Sequence, residues 1–564
     1  MPPAFPTTSR RTIAILIAIF AVVWFGNLDT RKLIHPDEGR YAEIPREMVV
    51  SGDWVTPRLN GLKYFEKPPL QYWMTAIAYR SFGLHEWSAR LWPALSAFVA
   101  LFVLGYAGYR LGGSVLGLQT GLVLAGMVGY NVNSQILSLD AGLAAFLGIA
   151  LTGFLIAQRA DATPAECRRW MLVAWAAMAG AMLSKGLVGL VLPGGALVTY
   201  TMLQRDFALW RRLHIARGLL LFLALTLPWF VLVSRANPEF LQFFFVHEHF
   251  QRFLTTEHRR TGAWWYFVPL LAVGSLPWLI VLLVGARKLW SGAETQANGF
   301  SWQRFALAWA GFVFVFFSVS GSKLPSYILP MYPALALLAA WLLPQLGARR
   351  LARLTLPVVI AAGLVVVVAV ALDEAMLRRF VDQDRTSLQL IIAYKPWIAA
   401  AMSVSVAGGI IAIRCFRRGS REVITPGVLA LSLSGLMAIQ IGLAGYDVYR
   451  ATRSSWDLLQ QAQARHGALR ADVPFYQVHM YDQTASFYLR RTATLVEFRD
   501  ELGPGIDAEP QLAIASVDLW RPQWVALDQG YALLPGERYA ALAAAGLPMR
   551  ELGRDERRVL VSRR

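Results

Sequence analysis

The chain has 564 residues, 56% of them hydrophobic and only 16% charged, with a mean hydropathy of +0.43. A soluble domain carries about 45–50% apolar and about 25% charged residues, so this composition excludes a soluble enzyme on a single anchor. The formal charge of +18 does not mark a nucleic-acid binder: residues 446–564 hold 15 Arg, no Lys and 15 Asp plus Glu, so the whole excess lies in the apolar part, largely in short loops.

A run of about 18–20 apolar residues crosses the hydrocarbon layer as a helix, and about 13 such runs are expected here. Arg10 and Arg11 precede the first, at 12–28; Asp29-Thr30-Arg31-Lys32 follows it in place of a small-residue cleavage site, so it reads as a retained helix. With the N-terminus inside, the basic loops alternate as the positive-inside pattern requires. A long polar loop, about 29–87, lies outside, and helices at 88–108 and 112–130 turn inside at Tyr109-Arg110. A short outside loop at 131–139 leads to a helix at 140–157 and an inside loop with Arg159, Arg168 and Arg169. Two helices meet outside near Lys185 and return to Arg205, Arg211, Arg212 and Arg217. A second long outside loop, about 235–263, follows the helix at 218–234. Arg287-Lys288, Arg349-Arg350 and Arg414–Arg421 mark further inside loops; 321–327 and 373–392 lie outside. The odd count puts 446–564 across the membrane from the N-terminus. Cys167 and Cys415 fall in or beside basic inside loops, where no disulfide is expected, and no C-x-x-C pattern suggests a metal or redox site.

The C-terminal segment changes character. Alternating, β-rich pieces at 473–479, 485–498, 511–516, 523–528 and 557–562 are interrupted by helical stretches at 455–465 and 537–545, which predicts a small α/β domain. The expected organisation is a membrane-embedded catalytic region over 1–445 and an α/β domain over 446–564. There is no internal repeat and no low-complexity tract.

The first outside loop is the most informative stretch. It reads His35-Pro36-Asp37-Glu38-Gly39-Arg40-Tyr41, then Tyr64-Phe65-Glu66-Lys67-Pro68-Pro69. Pro36 favours a helix that starts there, and a helix start offers unpaired N–H groups and a positive dipole end that suit an anion such as phosphate. Glu66-Lys67 is stiffened by the two prolines after it. Asp140 stands at the outer edge of an apolar helix, where an acid is costly enough to suggest function, with helix capping as the plainer reading. The second loop carries His247-Glu248-His249 and Arg252, then Arg259-Arg260. His-x-His could hold a metal or simply pack at the interface, and the arginines suit phosphate or lipid headgroups. Ser322-Lys323-Leu324-Pro325-Ser326-Tyr327 lies at the same outer level, where Tyr is often part of the aromatic belt. Acids, bases and phosphate-grade cations thus converge at one membrane level, a pattern that fits chemistry on a lipid-linked phosphate.

Asp37-Glu38 after the first helix, Tyr64-x-Glu66-Lys67-Pro68-Pro69, Asp140, and Ser322-Lys323-Leu324-Pro325-x-Tyr327 together resemble the membrane glycosyltransferases of the C-type (GT-C) fold. Within them the chain looks most like the aminoarabinose transferases of Gram-negative bacteria, with protein O-mannosyltransferases as more distant relatives; the likeness runs along the whole chain. The resemblance implies a bacterial inner-membrane enzyme with a cytoplasmic N-terminus, periplasmic loop helices and a periplasmic C-terminal domain. It implies an undecaprenyl-phosphate donor carrying 4-amino-4-deoxy-L-arabinose, a lipid A phosphate as acceptor, and resistance to polymyxin as the outcome. Asp37 and Asp140, with Glu66, match acidic catalytic positions. Lys67, Arg40, Arg252, Tyr327 and Tyr64 match positions around the carrier phosphate. No cofactor is required; a divalent metal stays open, with His247 and Glu66 as its ligands if one takes part. A monomer in the bilayer with no nucleic-acid partner is expected. Another polyprenyl-linked sugar, a protein acceptor, or a transporter of lipid-linked sugar are the competing readings; a transporter would favour internal repeats and midplane charges.

Overall fold

The computed structural model describes residues 10–245, 262–380, 385–419 and 424–564. Among these, eight helices are long and apolar enough to cross a membrane, or nine if the bent pair Phe267–Gly274 and Leu279–Ser291 is one span. The expected figure of about 13 is reached only if that pair, the shorter helices Ala14–Phe25 and Val188–Gln204, the helix Pro164–Lys185 and both arms of one hairpin all cross as well. The hairpin is the run Glu86–Gly126, which breaks at Gly112 and at Gly113, whose φ of 83° only glycine adopts freely. Its arms meet backbone to backbone: a Cβ on Gly117 would stand 2.8 Å from the Gly105 carbonyl oxygen, and one on Gly108 would stand 3.0 Å from the Gly117 Cα. Small residues allow this approach in lipid, where packing rather than the hydrophobic effect joins helices.

Helix Leu139–Ala157 is the hub. Of its most apolar stretch 89% is buried, against 17% for Ala348–Ala371, so the first is wrapped by protein while the second faces lipid. An acid on the hub helix is therefore placed by protein contacts, not by solvent.

The loop expected at 29–87 is largely ordered into secondary structure. Helix Asp37–Ser51 begins directly behind Pro36, as its sequence predicts, and ends at Gly52 in the left-handed region. A two-stranded ribbon follows, β1 (Arg58–Leu59) with β2 (Leu62–Lys63), turning through Asn60 and Gly61, both at positive φ. Glu47 receives the backbone N–H groups of Asn60 and Gly61 at 2.6 and 2.8 Å, which fixes the turn to the helix. Helix Leu70–Phe82 starts at the end of the Pro-Pro pair.

The C-terminal region is α/β, as expected. Strands β3 (Phe475–Val478), β4 (Thr494–Val496), β5 (Ala513–Ile514), β6 (Tyr531–Pro535), β7 (Arg550–Arg554) and β8 (Arg558–Ser562) form one sheet in the order β5-β4-β3-β6-β8-β7. The first four in that order run parallel, and β8 and β7 complete the sheet antiparallel. Two expectations are corrected. Residues 485–489 belong to helix Gln483–Leu489, started by the Asp482 carboxylate, which accepts from Thr484 N and Ala485 N. Residues 523–526 belong to helix Val517–Ala526, capped by Ser516. In both, a cap outweighs the β-rich composition. Strands β6 and β7 fall in stretches read as connections.

The C-terminal region is not a separate body on a tether. Leu33, Tyr41, Ile44 and Leu62 of the first loop share one buried cluster with Tyr481, Phe487, Leu495 and Ile506. Gly39 permits the approach: a Cβ there would stand 2.9 Å from Thr484 N and from the Gln483 Cβ.

Candidate active site

The helix that starts at Asp37 sets the site, because successive residues on it point to different partners. Glu38 is buried and clamps Arg90 through both oxygens at 2.8 Å, while accepting the Leu137 N–H at 3.1 Å. Burial alone would raise its pKa; Arg90 overcomes this and brings it to about 2. Glu38 is thus a structural anchor, though it adjoins Asp37 in the sequence. The Asp37 side chain is 50% exposed and lies 3.5 Å from the Arg40 guanidinium.

Arg40 is buried and ion-paired with Glu501 from the C-terminal region. Its guanidinium lies 5.8 and 5.9 Å from the Tyr41 and Tyr64 rings. Burial opposes its charge, but Tyr64, Glu501, Tyr41 and Glu66 around it hold its pKa above the ordinary arginine value. Two polar atoms here are buried without a hydrogen-bond partner, Arg40 Nε and the Tyr64 hydroxyl. Burial pushes the Tyr64 pKa well up, so it stays a neutral donor. Lys67 Nζ donates to the Glu66 carbonyl at 2.8 Å and stands 3.9 Å from its carboxylate. Glu501 is raised to about 6, first by burial and, against the pull of Arg40, by Glu66. It also accepts from the Gln483 amide at 2.5 Å. Beside this group, Tyr64, Glu66 and Glu501 line a cavity of about 340 Å³ between the first loop and the C-terminal region.

Asp140 lies in the first turn of the hub helix, but its carboxylate does not cap it. It pairs with Lys185 and accepts the Ser326 hydroxyl at 2.7 Å. The Lys185 ammonium also sits 4.5 Å above the Tyr327 ring, and that ring packs against Phe317 at 5.0 Å. Tyr327 is therefore brought to the Asp140–Lys185 pair. Lys323 turns away, donating to the carbonyls of Ser318 and Ser320 at 2.8 and 2.9 Å as a helix cap. Tyr41 joins the two groups: its pKa is raised by burial, lowered by Arg40, and raised by Asp37, Glu66 and Asp140 together. The three acids thus share one neighbourhood.

Arg252 and His247 lie outside the described residues, so the expected pairing of His247 with Glu66 is not placed. Among the described residues no group of three His, Cys, Asp or Glu side chains could hold a metal. The site gains residues that the sequence did not single out. Lys185 was legible as a lone lysine ending an apolar helix at the outer level; Glu501 and Gln483, more than 400 positions from Arg40, carried no signal.

Two family profiles match the chain: dolichyl-phosphate-mannose-protein mannosyltransferase over residues 9–291, and the aminoarabinose transferase C-terminal domain over 461–563. Among solved structures, the crystal structure of ArnT from Cupriavidus metallidurans bound to undecaprenyl phosphate is 39% identical, with 99% of each chain covered and a TM-score of 0.90. Its apo state gives a TM-score of 0.88 with 98% of each chain covered. The undecaprenyl phosphate-alpha-4-amino-4-deoxy-L-arabinose arabinosyl transferase 1 of Sodalis glossinidius is 35% identical over 332 residues, 58% of each protein. The chain thus spans under two thirds of the length of the curated relatives it first matches. The fold is that of the membrane glycosyltransferases of the C type. The chain belongs to the aminoarabinose transferase family.

Proposed function

We propose that this protein moves 4-amino-4-deoxy-L-arabinose from undecaprenyl phosphate to a phosphate of lipid A, on the periplasmic face of the bacterial inner membrane. In this reading residues 1–445 form the catalytic membrane region, 446–564 are periplasmic, and the protein acts as a monomer. The observation that carries it is the buried Arg40 with Tyr64, Glu66 and Glu501 about it: its Nε and the Tyr64 hydroxyl are buried donors without a partner, suited to a carrier phosphate, and Lys67 follows Glu66 in the chain. The ArnT relative bound to undecaprenyl phosphate supports the same chemistry.

The roles follow from charge. An acceptor phosphate oxygen attacks the anomeric carbon as its bond to the carrier phosphate breaks, inverting that centre. The carrier phosphate leaves with the bonding pair, and Arg40 and Lys67 stabilise its charge, with Arg252 as a further cation from the sequence. The acceptor is largely ionised at neutral pH, its second pKa being about 6, so no strong base is needed. The acids serve the sugar: Asp37, Glu66 or Asp140 pairs with its ammonium, and the carboxylates stabilise oxocarbenium character, as they do in glycoside chemistry. Lys185 and Ser326 hold Asp140 oriented.

Mass spectrometry of lipid A from a polymyxin-sensitive, transferase-null strain carrying this gene tests the reading. A mass gain of one aminoarabinose, lost with Lys67→Ala, is expected. No gain at normal membrane expression overturns it in favour of another sugar or a protein acceptor.

A further inference from the structure

Six arginines gather where the ends of two membrane helices meet. Arg349, Arg350 and Arg353 stand at the start of helix Ala348–Ala371, and Arg414, Arg417 and Arg418 at and just past the end of helix Arg385–Arg417. All six are exposed. The two helices pack closely: a Cβ on Gly409 would collide with the Val359 side chain, and Arg349 Nε lies 3.8 Å from where a Cβ on Gly419 would stand. Arg349 and Arg353 are four apart on one helix, and Arg414 and Arg417 three apart on the other, so like charges face each other along both. Elsewhere in the loops expected on this side, Arg110 pairs with Glu166 at 2.6 Å and Arg159 with Asp161. None of the six has an ion pair among the described residues.

The cluster lies at the membrane face opposite the active site. Tyr394 of the second helix lines one cavity with Arg31 of the first loop, and Arg417 is 23 residues further along the same helix. At 1.5 Å per residue that is about 35 Å, slightly more than the hydrocarbon thickness of about 30 Å. Below the arginines the surface is bare hydrocarbon. From Arg349 and Arg353 the same face of the first helix continues in steps of three and four through Leu356, Ile360, Leu364 and Val367, all exposed. Ile410 and Ile411 are exposed beneath Arg414 on the second.

We infer that this arginine cluster seats an anionic phospholipid that carries two phosphates, a cardiolipin, in the leaflet opposite the active site. Phosphate is the group a guanidinium holds best, through paired charge-assisted hydrogen bonds, and six guanidiniums on two helices exceed what one phosphate can use. The aliphatic stripes directly below give the acyl chains a surface at the depth where they lie, which an acidic protein would leave uncovered. Basic seats between membrane helices on the cytoplasmic side hold such headgroups. The proposed orientation of the chain makes this leaflet cytoplasmic; the binding itself does not depend on it.

Native mass spectrometry of the purified full chain tests it, with cardiolipin, phosphatidylglycerol, phosphatidylethanolamine and undecaprenyl phosphate as probes. Cardiolipin should bind about tenfold or more tighter than phosphatidylglycerol, and phosphatidylethanolamine weakest. Arg349→Gln with Arg353→Gln should weaken cardiolipin about 25-fold, about fivefold per arginine. Arg414→Gln with Arg418→Gln, on the other helix, should do the same. Arg168→Gln with Arg169→Gln, exposed arginines of another loop on this side, should change it less than about twofold, and undecaprenyl phosphate should bind alike in all three variants. Phosphatidylglycerol binding as tightly as cardiolipin overturns the inference. So does unchanged cardiolipin binding in the first two variants, or an equal loss in the third. No sugar transfer is read here, so a failure of the proposed function leaves this site standing.

Discussion

Two groups of charges sit on the same short helix and differ in how fully they are satisfied. Glu38 with Arg90, and Glu43 with Arg46, make forked pairs at 2.6–2.8 Å, with backbone groups completing the Glu38–Arg90 pair. Around Asp37 and Arg40 the bonding is incomplete: the Asp37 contact is long and half exposed, and Arg40 Nε and the Tyr64 hydroxyl have no partner. Burial is not what separates them, since Arg40 and Arg90 are both buried. The difference teaches that leftover donor capacity, rather than charge or depth, sets the Asp37–Arg40 side of the helix apart from the Glu38–Arg90 side.

The comparison breaks most visibly through the first group. Glu38→Gln leaves Arg90 buried without its counter-charge and should cost about 3–5 kcal/mol, read as a fall in Tm and in yield in detergent. The same pair sets an acid limit. Glu38 and Asp482 both have folded pKa values depressed to about 2, because Arg90 and Arg558 overcome the effect of burial. A depressed carboxylate adds stability above its unfolded pKa and loses it as pH falls toward the folded value. Thermal stability should therefore drop between about pH 4 and pH 2, and Glu38→Gln should flatten that drop.

The second group should behave in the opposite way. Asp37→Asn should reduce transfer by about 100-fold or more with Tm unchanged, measured on purified protein with the lipid-linked donor. Loss of stability without loss of the chemical step would reverse the comparison.

The smallest effect sharpens it. Glu501 occupies Arg40 when ionised and is raised to about 6. The proposed sugar-linked carrier is a phosphodiester whose charge does not change in this range. Its binding should strengthen about threefold from pH 7.5 to 5.5 as Glu501 takes up a proton, on the scale of one modest ion pair. Glu501→Gln should bind equally well at both pH values. A pH dependence that survives this substitution assigns the effect elsewhere.

Much of this was legible because it is local. Asp37, Arg40, Tyr64, Glu66 and Lys67 fall in one loop, and the helix start behind Pro36 follows from proline geometry alone. Asp140 stood out as an acid on an apolar helix. What was not legible is pairing at long range. Nothing near Glu501 announces Arg40, and nothing near Lys185 announces Asp140 or Ser326. The split between Glu38 and Asp37 was hidden too, because adjacent carboxylates look alike until their partners are placed. The α/β class of the last segment was readable, but the 485–498 stretch contains a capped helical turn before its strand, which alternation alone could not reveal.

The shared core of the first loop and the chain's end bears on how the protein is made. Leu33 N donates to no neighbour in its own loop; it donates to the Tyr488 hydroxyl at 2.8 Å, 455 positions later. Translation reaches the loop hundreds of residues before these partners. Until residues 481–506 are made, Tyr41, Ile44 and Leu62 lack that side of their shared core, and Arg40 lacks Glu501.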